Sequence, residues 1–340
     1  MCAASDINIG LNAVIMAVTN GAPRVLTVRR AAMSTGETES FQDSPTALPF
    51  GPFEPERHRT LELGLRGWVE EQTGMALGYV EQLYTFADRN RDPRELAGGS
   101  RVVSIGYLAL VREAVPHGAD DAEWANCYQF LPWEDWRGGR PALLDDTICP
   151  ALLTWADNAT DQSERDRRAN RVSITFGIGD APWDVERVLE RYELLYEAGL
   201  VQEAARDSQL GGVNEDARAQ AMDTTMFTHT GHSFALDHRR ILATALGRVR
   251  GKIKYRPVVF ELLAPSFTLL NLQVVVEALS GVVLHKQNFR RLVTNNRLVE
   301  PTGKIDSPAR GRPAAHFRFR HEVLRERPQP GVGLPARQIT

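Results

Sequence analysis

The 340-residue sequence predicts an α/β (α+β) chain: a strand-containing N-terminal part, a largely helical middle, and a basic C-terminal unit of helices with two short strands. Three observations predict it. Ile9–Val18 and Arg24–Arg30 form two strand-like runs around Asn20-Gly21-Ala22-Pro23, a sequence that favours a tight hairpin turn. Apolar residues then recur at helical spacing in Asp184–Arg206 and Phe234–Ile253. Finally, the charge is unevenly divided: Arg239 to Arg327 holds 18 Lys/Arg and 6 Asp/Glu, the remainder 22 and 37, although the whole chain carries only −3. Such asymmetry points to a polyanion-binding module attached to an acidic partner domain.

After the hairpin, Thr60–Gly74 has the spacing of a helix, and Tyr84–Arg89 leads through Arg91-Asp92-Pro93-Arg94 to a strand at Val102–Leu110. In the middle segment, Ala151–Ala159 is a candidate short helix and Asp157–Arg171 a charge-rich loop or exposed helix. Asp184–Arg206 carries Val185, Val188, Leu189, Tyr192, Leu195, Tyr196, Gly199 and Leu200 in near-helical rhythm, and Gly211–Thr225 reads as a polar linker. Phe234–Ile253 places Leu236, Ile241, Leu242, Ala245, Leu246 and Val249 on one helix face with Arg and Lys opposite. A short helix at Pro257–Leu263 follows, then a Ser266-Phe267-Thr268 cap before Leu269–Leu279, which stops at Ser280-Gly281. Lys286–Asn295 supplies the next helix, and Leu298–Pro301 and Ala314–Arg320 supply two strands around a Gly/Pro/Arg-rich loop. Two helices across a Gly-containing turn, followed by a basic hairpin, make a winged helix-turn-helix.

Composition is that of a soluble protein, 24% charged and 43% hydrophobic, with enough length for two domains. No apolar run approaches bilayer length, and Met1–Asp6 lacks the basic and apolar regions of a signal peptide. Cys2, Cys127 and Cys149 form neither a metal pattern nor an even disulfide set, so a cytoplasmic location is expected. No zinc or other metal site is assigned.

The helix at Thr60–Gly74 resembles the Nudix box of nucleotide diphosphate hydrolases. Thr73-Gly74 sets the register, the E-E pair falls on Glu71-Gln72, and the R-E pair on Gly67-Trp68. In that family carboxylates at i, i+3 and i+4 share a helix face and hold Mg²⁺. Here those positions are Trp68, Glu71 and Gln72, so one charge of three remains and no catalytic residue is assigned. Leu48-Pro49-Phe50-Gly51-Pro52-Phe53 precedes the helix where Nudix proteins carry L-P-G-G-F, with two extra residues before the register resumes.

Together with the tail phrases Lys252-Ile253-Lys254-Tyr255, Phe267-Thr268-Leu269, Asn288-Phe289-Arg290-Arg291 and Gly311-Arg312-Pro313, the chain resembles Nudix-related transcriptional regulators of NAD metabolism of the NrtR type. His58–Glu62 and Trp68–Thr73 look closer to their alphaproteobacterial NAD regulator (NadQ) branch. The resemblance covers 5–135 and 234–320. It implies a Nudix-like α/β/α sandwich in which a mixed sheet lies between helices. The corresponding division is a degenerate sensor domain at 1–135 and 226–235, an insertion without assigned role at 136–225, a linker helix at 236–256, a winged helix-turn-helix at 257–327 and a disordered tail at 328–340.

On this basis the DNA-binding candidates are Lys286, Gln287, Asn288, Arg290 and Arg291, whose side chains can reach major-groove base edges. Phe289 and Leu292 anchor that helix, Arg310 and Arg312 in the wing suit a minor groove or phosphate, and Lys252 and Lys254 suit phosphates. The ligand candidates are Arg29, Arg30, Trp68 and Glu71. The implied protein is a non-enzymatic repressor that needs no cofactor, binds a palindromic double-stranded operator as a homodimer, and senses ADP-ribose, NAD or ATP. Two alternatives stay open: a divergent Nudix hydrolase using Glu62, Glu70 and Glu71, and a nucleotide-binding scaffold whose basic tail docks an acidic protein.

Overall fold

A computed structural model describes residues 7–29, 46–88, 95, 99–117, 121–209, 230–306 and 313–332. Strands β1 (Ile7–Thr19) and β2 (Ala22–Arg29) form the expected hairpin, in which Thr19 faces Ala22 across a two-residue turn. Both turn residues take positive φ, 51° at Asn20 and 73° at Gly21, which matches the twist of the flanking strands. Short strands β3 (Thr46–Ala47) and β4 (Phe50–Pro52) precede helix α1 (Leu61–Thr73), and β5 (Tyr79–Phe86), β6 (Arg101–Leu110) and β7 (Asp121–Asn126) complete a mixed sheet. Its order is β3-β2-β1-β6-β5, with β4 also on β1 and β7 also on β2; β1 runs parallel to β6 and antiparallel to its other neighbours. Strand β5 starts five residues earlier than the Tyr84 expected from sequence.

The period-2 alternation of β1 assigns the two faces. Leu11, Ala13, Ile15 and Ala17 pack with Leu65 and Val69 of α1, whereas Val14 and Met16 join a larger cluster on the other side. That larger cluster is filled by the middle segment: α2 (Cys127–Phe130), a 3₁₀ turn at Pro132–Glu134, α3 (Cys149–Asp157), α4 (Gln162–Phe176), α5 (Val188–Glu197) and α6 (Gln202–Gln209). The charge-rich stretch is a helix capped by Asp161 and ended by Gly177 in the left-handed conformation. The rhythm of Asp184–Arg206 is split between α5 and α6 at Gly199, whose φ of 72° no helix can continue through.

The linker helix α7 runs His238–Tyr255; Leu236, placed on it by periodicity, lies before it with φ 53°. Basic residues were expected on its outer face, but Arg239 and Arg250 are fully buried. Beyond it come a 3₁₀ turn (Val258–Leu262), β8 (Phe267–Thr268), α8 (Leu269–Ser280), α9 (Lys286–Asn295), and β9 (Val299–Asp306) with β10 (Ala314–Phe319) in a three-stranded sheet ordered β8-β10-β9. This is the expected winged helix-turn-helix, with Thr268 and Asn271 forming a capping box at the start of α8. A short helix α10 (Val323–Glu326) follows. The tail expected to be disordered from 328 begins instead with packed chain: Pro330, Gly331 and Val332 are buried, Val332 lies in the large core, and Gly331 is pressed against the Lys254 carbonyl. One cluster of apolar side chains thus runs from the sheet through the middle helices and α7 into α8 and α9.

Candidate sensor cleft and DNA interface

Helix α1 starts at Thr60, whose hydroxyl accepts from Leu63 N–H at 3.1 Å, and ends at Gly74 in the left-handed region. Of the three positions that the Nudix box gives to metal carboxylates, two are committed to structure. The Gln72 side chain, 4% exposed, donates to Phe50 O at 2.8 Å and accepts from Phe50 N–H at 3.2 Å. The Trp68 indole N–H donates to Pro52 O at 2.8 Å, and its ring lies where a Cβ on Gly51 would be. Glu71, like Glu70, is exposed, and Glu62 is held by Arg66 at 2.8 Å. Among the described residues no group of three His, Cys, Asp or Glu is placed to hold a metal ion. Half-buried Phe53 and His58 stand with Trp68 in an aromatic cluster, His58 centred 5.8 Å from Phe53 and 6.2 Å from Trp68. Arg29, the other ligand candidate described, pairs with Glu123 across β2 and β7 at 3.3 Å; Arg30 lies outside the described residues.

On its opposite side the sheet is bolted to α7. Lys252 is paired with Glu81 and donates to Tyr79 Oη at 3.1 Å, Arg248 reaches Glu81 at 2.9 Å, and Arg240 bridges Asp88 and Glu193. Burial opposes the charge on Lys252, but Glu81 and Tyr79 outweigh it and raise its pKa; Lys252 likewise holds the Glu81 carboxyl below its ordinary value despite burial. Lys254 is paired with Glu186 of the middle segment. Both phosphate candidates thus have a carboxylate partner, Lys252 with its side chain 17% exposed and Lys254 with its side chain 46% exposed.

A second junction is fully buried. Glu134 is 1% exposed and accepts from Arg191 at 2.6 Å and from Arg250, while Arg250 Nε donates to Leu279 O at 3.0 Å at the end of α8. Burial alone would raise the Glu134 carboxyl pKa; the two guanidinium groups overrule it and hold it below the usual range. Tyr128, its hydroxyl pushed up to about 12 by burial, stays neutral and donates to Ala278 O at 2.7 Å. A parallel buried pair, Arg239 with Glu203 at 3.2 Å, fixes the entry to α7. The middle segment is therefore a cradle for the linker helix, a role that the sequence did not assign. None of these residues was singled out from sequence, since Glu134 lies 57 residues from Arg191 and 116 from Arg250, beyond any local pattern.

In the winged helix, Glu277 fixes the turn: its carboxylate accepts from Leu284 N–H at 2.8 Å and from Gln273 Nε2 at 2.9 Å. Helix α9 is capped by His285, and Lys286, Gln287, Asn288, Arg290 and Arg291, the five base-reading candidates, are all exposed. Phe289 is buried as expected, but its partner is Val293, one helical turn on, rather than the half-buried Leu292. Lys304 in β9 is exposed beside the wing loop, and Arg310 and Arg312 lie outside the described residues.

A mixed sheet with the box helix on one face, the linker helix on the other and a winged helix beyond defines a Nudix-fold chain with a DNA-binding module. Residues 259–319 match the family model of the NrtR DNA-binding winged helix domain, so that module is of the NrtR type. The ADPR responsive transcriptional repressor NtrR of Acinetobacter baylyi is 36% identical over 85 residues, which are 25% of this chain and 34% of the relative. That match thus spans about a third of the relative's length. The crystal structure of Shewanella oneidensis NrtR aligns over 93% of this chain and 95% of its own, with 18% identity and a TM-score of 0.51. A MutT/nudix family protein from Enterococcus faecalis aligns over 94% and 89%, with 17% identity and a TM-score of 0.51. These two likenesses show the shared fold.

Proposed function

We propose that this chain is a transcriptional repressor of NAD biosynthesis, salvage or nicotinate metabolism genes that binds operator DNA through its winged helix and senses an adenine nucleotide diphosphate through a non-catalytic Nudix domain. The observation that carries this reading is an NrtR-type winged helix whose exposed recognition face stands on a linker helix packed against the Nudix sheet. The relative's name supports ADP-ribose as the first ligand to test, ahead of NAD and ATP. Arg29, Arg30, Trp68 and Glu71 remain the ligand candidates, and the Phe53–His58–Trp68 cluster offers a face on which an adenine can stack. Two copies on a palindromic operator are the form we expect, since one recognition helix covers only a half-site.

Capture and sequencing of genomic fragments by the purified protein at physiological salt tests the reading. A palindromic site upstream of NAD genes is the expected outcome; absence of any enriched site overturns it. On the captured operator, Arg290→Ala and Arg291→Ala are each expected to weaken binding by about 10- to 100-fold, the range for loss of a base-reading side chain. Lys252→Ala is expected to leave the salt dependence of binding unchanged, because that lysine is engaged with Glu81.

The non-enzymatic reading is supported by the engagement of Trp68 and Gln72 with the backbone of residues 50–52. Incubation with ADP-ribose and Mg²⁺ is expected to give no hydrolysis. Turnover that collapses in Glu71→Gln would establish the hydrolase instead.

A further inference from the structure

Positions 68 and 72, which the Nudix resemblance marks for metal carboxylates, here grip one short segment of chain. Trp68 holds Pro52 and Gln72 holds both backbone groups of Phe50. The same segment is gripped from the other side of the sheet by the first residue of α7. The Leu48 N–H donates to Nδ1 of His238 at 3.0 Å, the His238 ring meets Phe50 edge-on with centroids 5.1 Å apart, and Ala235 N–H donates to Thr46 O at 2.8 Å. His238 is 1% exposed and Leu48 fully buried, so neither group can exchange this contact for water. Strand β4 pairs with β1 over three residues, flanked by backbone bonds from Ala13 N–H to Pro49 O at 2.9 Å and from Phe53 N–H to Ile9 O at 2.7 Å, and the side-chain contacts add to these in setting where the segment lies.

We propose that Gln72 and His238 are positioning residues that transmit the state of the cleft to the winged helix through residues 46–52. This rests on the nucleotide-sensing reading above. A ligand against the exposed face of α1 that shifts the helix by a few tenths of an ångström moves Phe50 with Gln72, and Leu48 moves with Phe50. The buried Leu48–His238 hydrogen bond then either draws the start of α7 along or breaks. Helix α7 has 18 residues, a rod of about 27 Å. Near its far end Arg250 is tied to Leu279 O of the helix-turn-helix, so displacement at His238 reaches α8 without a flexible joint. A ligand that binds the two placements of the segment unequally shifts DNA affinity by that inequality.

Three variants separate transmission from simple structural support. His238→Phe keeps the ring volume and removes the acceptor; His238→Asn places an amide oxygen where Nδ1 stands; Gln72→Met keeps the side-chain length and removes both hydrogen bonds to Phe50. Operator affinity is measured by fluorescence anisotropy on the captured fragment with and without saturating ADP-ribose, and ADP-ribose affinity by calorimetry without DNA. In the wild-type protein ADP-ribose is expected to change operator affinity by about fivefold or more. In His238→Phe and Gln72→Met that ratio should fall to within about twofold of unity while ADP-ribose affinity and nucleotide-free operator affinity each hold within about threefold, and His238→Asn should keep the wild-type ratio. A structural role alone would lower the melting temperature and weaken both affinities with the ratio intact, and that pattern overturns the proposal. If His238→Phe does not fold, Gln72→Met decides: an unchanged ratio there is fatal to the relay. A wild-type ratio of one with ADP-ribose, NAD and ATP removes nucleotide sensing and the relay together, so the two failures are distinguishable.

Discussion

Glu134→Ala is expected to cost about 3–5 kcal/mol, the range for breaking a buried ion pair by removal of one partner. The effect belongs at the upper end because the alanine strands two guanidinium groups at once. Arg191 and Arg250 are both fully buried, and each would keep its charge without the carboxylate that compensates it. Remaining carbonyl partners, Thr175 O and Asp184 O for Arg191 and Val185 O, Leu279 O and the backbone oxygen of residue 134 for Arg250, accept hydrogen bonds but carry no net charge. Urea denaturation monitored by tryptophan fluorescence checks this; a loss below about 1 kcal/mol would mean that the triad is not closed in solution. The pH dependence has a definite sign. Because the folded carboxyl pKa lies below its ordinary value near 4.5, the contribution is fully present above that value and is lost as pH falls through the lowered folded one. Wild-type stability should therefore decline on acidification below about pH 4.5, and the decline should be shallower in Glu134→Gln.

Gly281→Ala is the second large effect, and two separable terms contribute. With φ at 75°, a Cβ carries a conformational cost of about 1–2 kcal/mol. A Cβ there would also overlap the Glu134 carbonyl oxygen and stand 2.7 Å from Arg250 Nη2 and 3.0 Å from Tyr128 Oη. Overpacking of that kind costs a further ~1–3 kcal/mol. Asparagine tolerates left-handed φ but not the collision, so Gly281→Asn tells the terms apart: it should be no better than alanine. Recovery of most of the stability by Gly281→Asn in a thermal melt would show that the turn, not its seat on Glu134, sets the requirement.

Local features were legible because their causes are local. Asn20-Gly21 announced the hairpin, Thr73-Gly74 the end of α1, and Ser266-Phe267-Thr268 with Gly281 the limits of α8, since each acts through its own backbone conformation. What misled was charge. Of the 18 Lys and Arg between Arg239 and Arg327, six lie on α7: Arg239, Arg240, Arg248, Arg250, Lys252 and Lys254. Each has a carboxylate partner outside the winged helix, drawn from Glu81, Asp88, Glu134, Glu186, Glu193 and Glu203. Part of the uneven division of charge is thus neutralised internally, between a basic helix and the acidic residues of the sheet and the middle segment. No spacing rule reveals such pairs, which depend on which distant segments the sheet brings together. Gln72 was legible as a missing carboxylate, but its bonds to Phe50 were not, for the same reason.

The buried junction bears on exchange between proteins. A recombination that moved residues 257–332 onto another sensor would carry away the carbonyls of Ala278, Leu279 and Gly281 without their donors Tyr128, Arg250 and Trp136. Tyr128 and Arg250 alone are 122 residues apart in the chain, so no short crossover transfers them together. A change of operator preference in a chain with this junction is therefore expected from substitutions within the winged helix rather than from acquiring a new reading head.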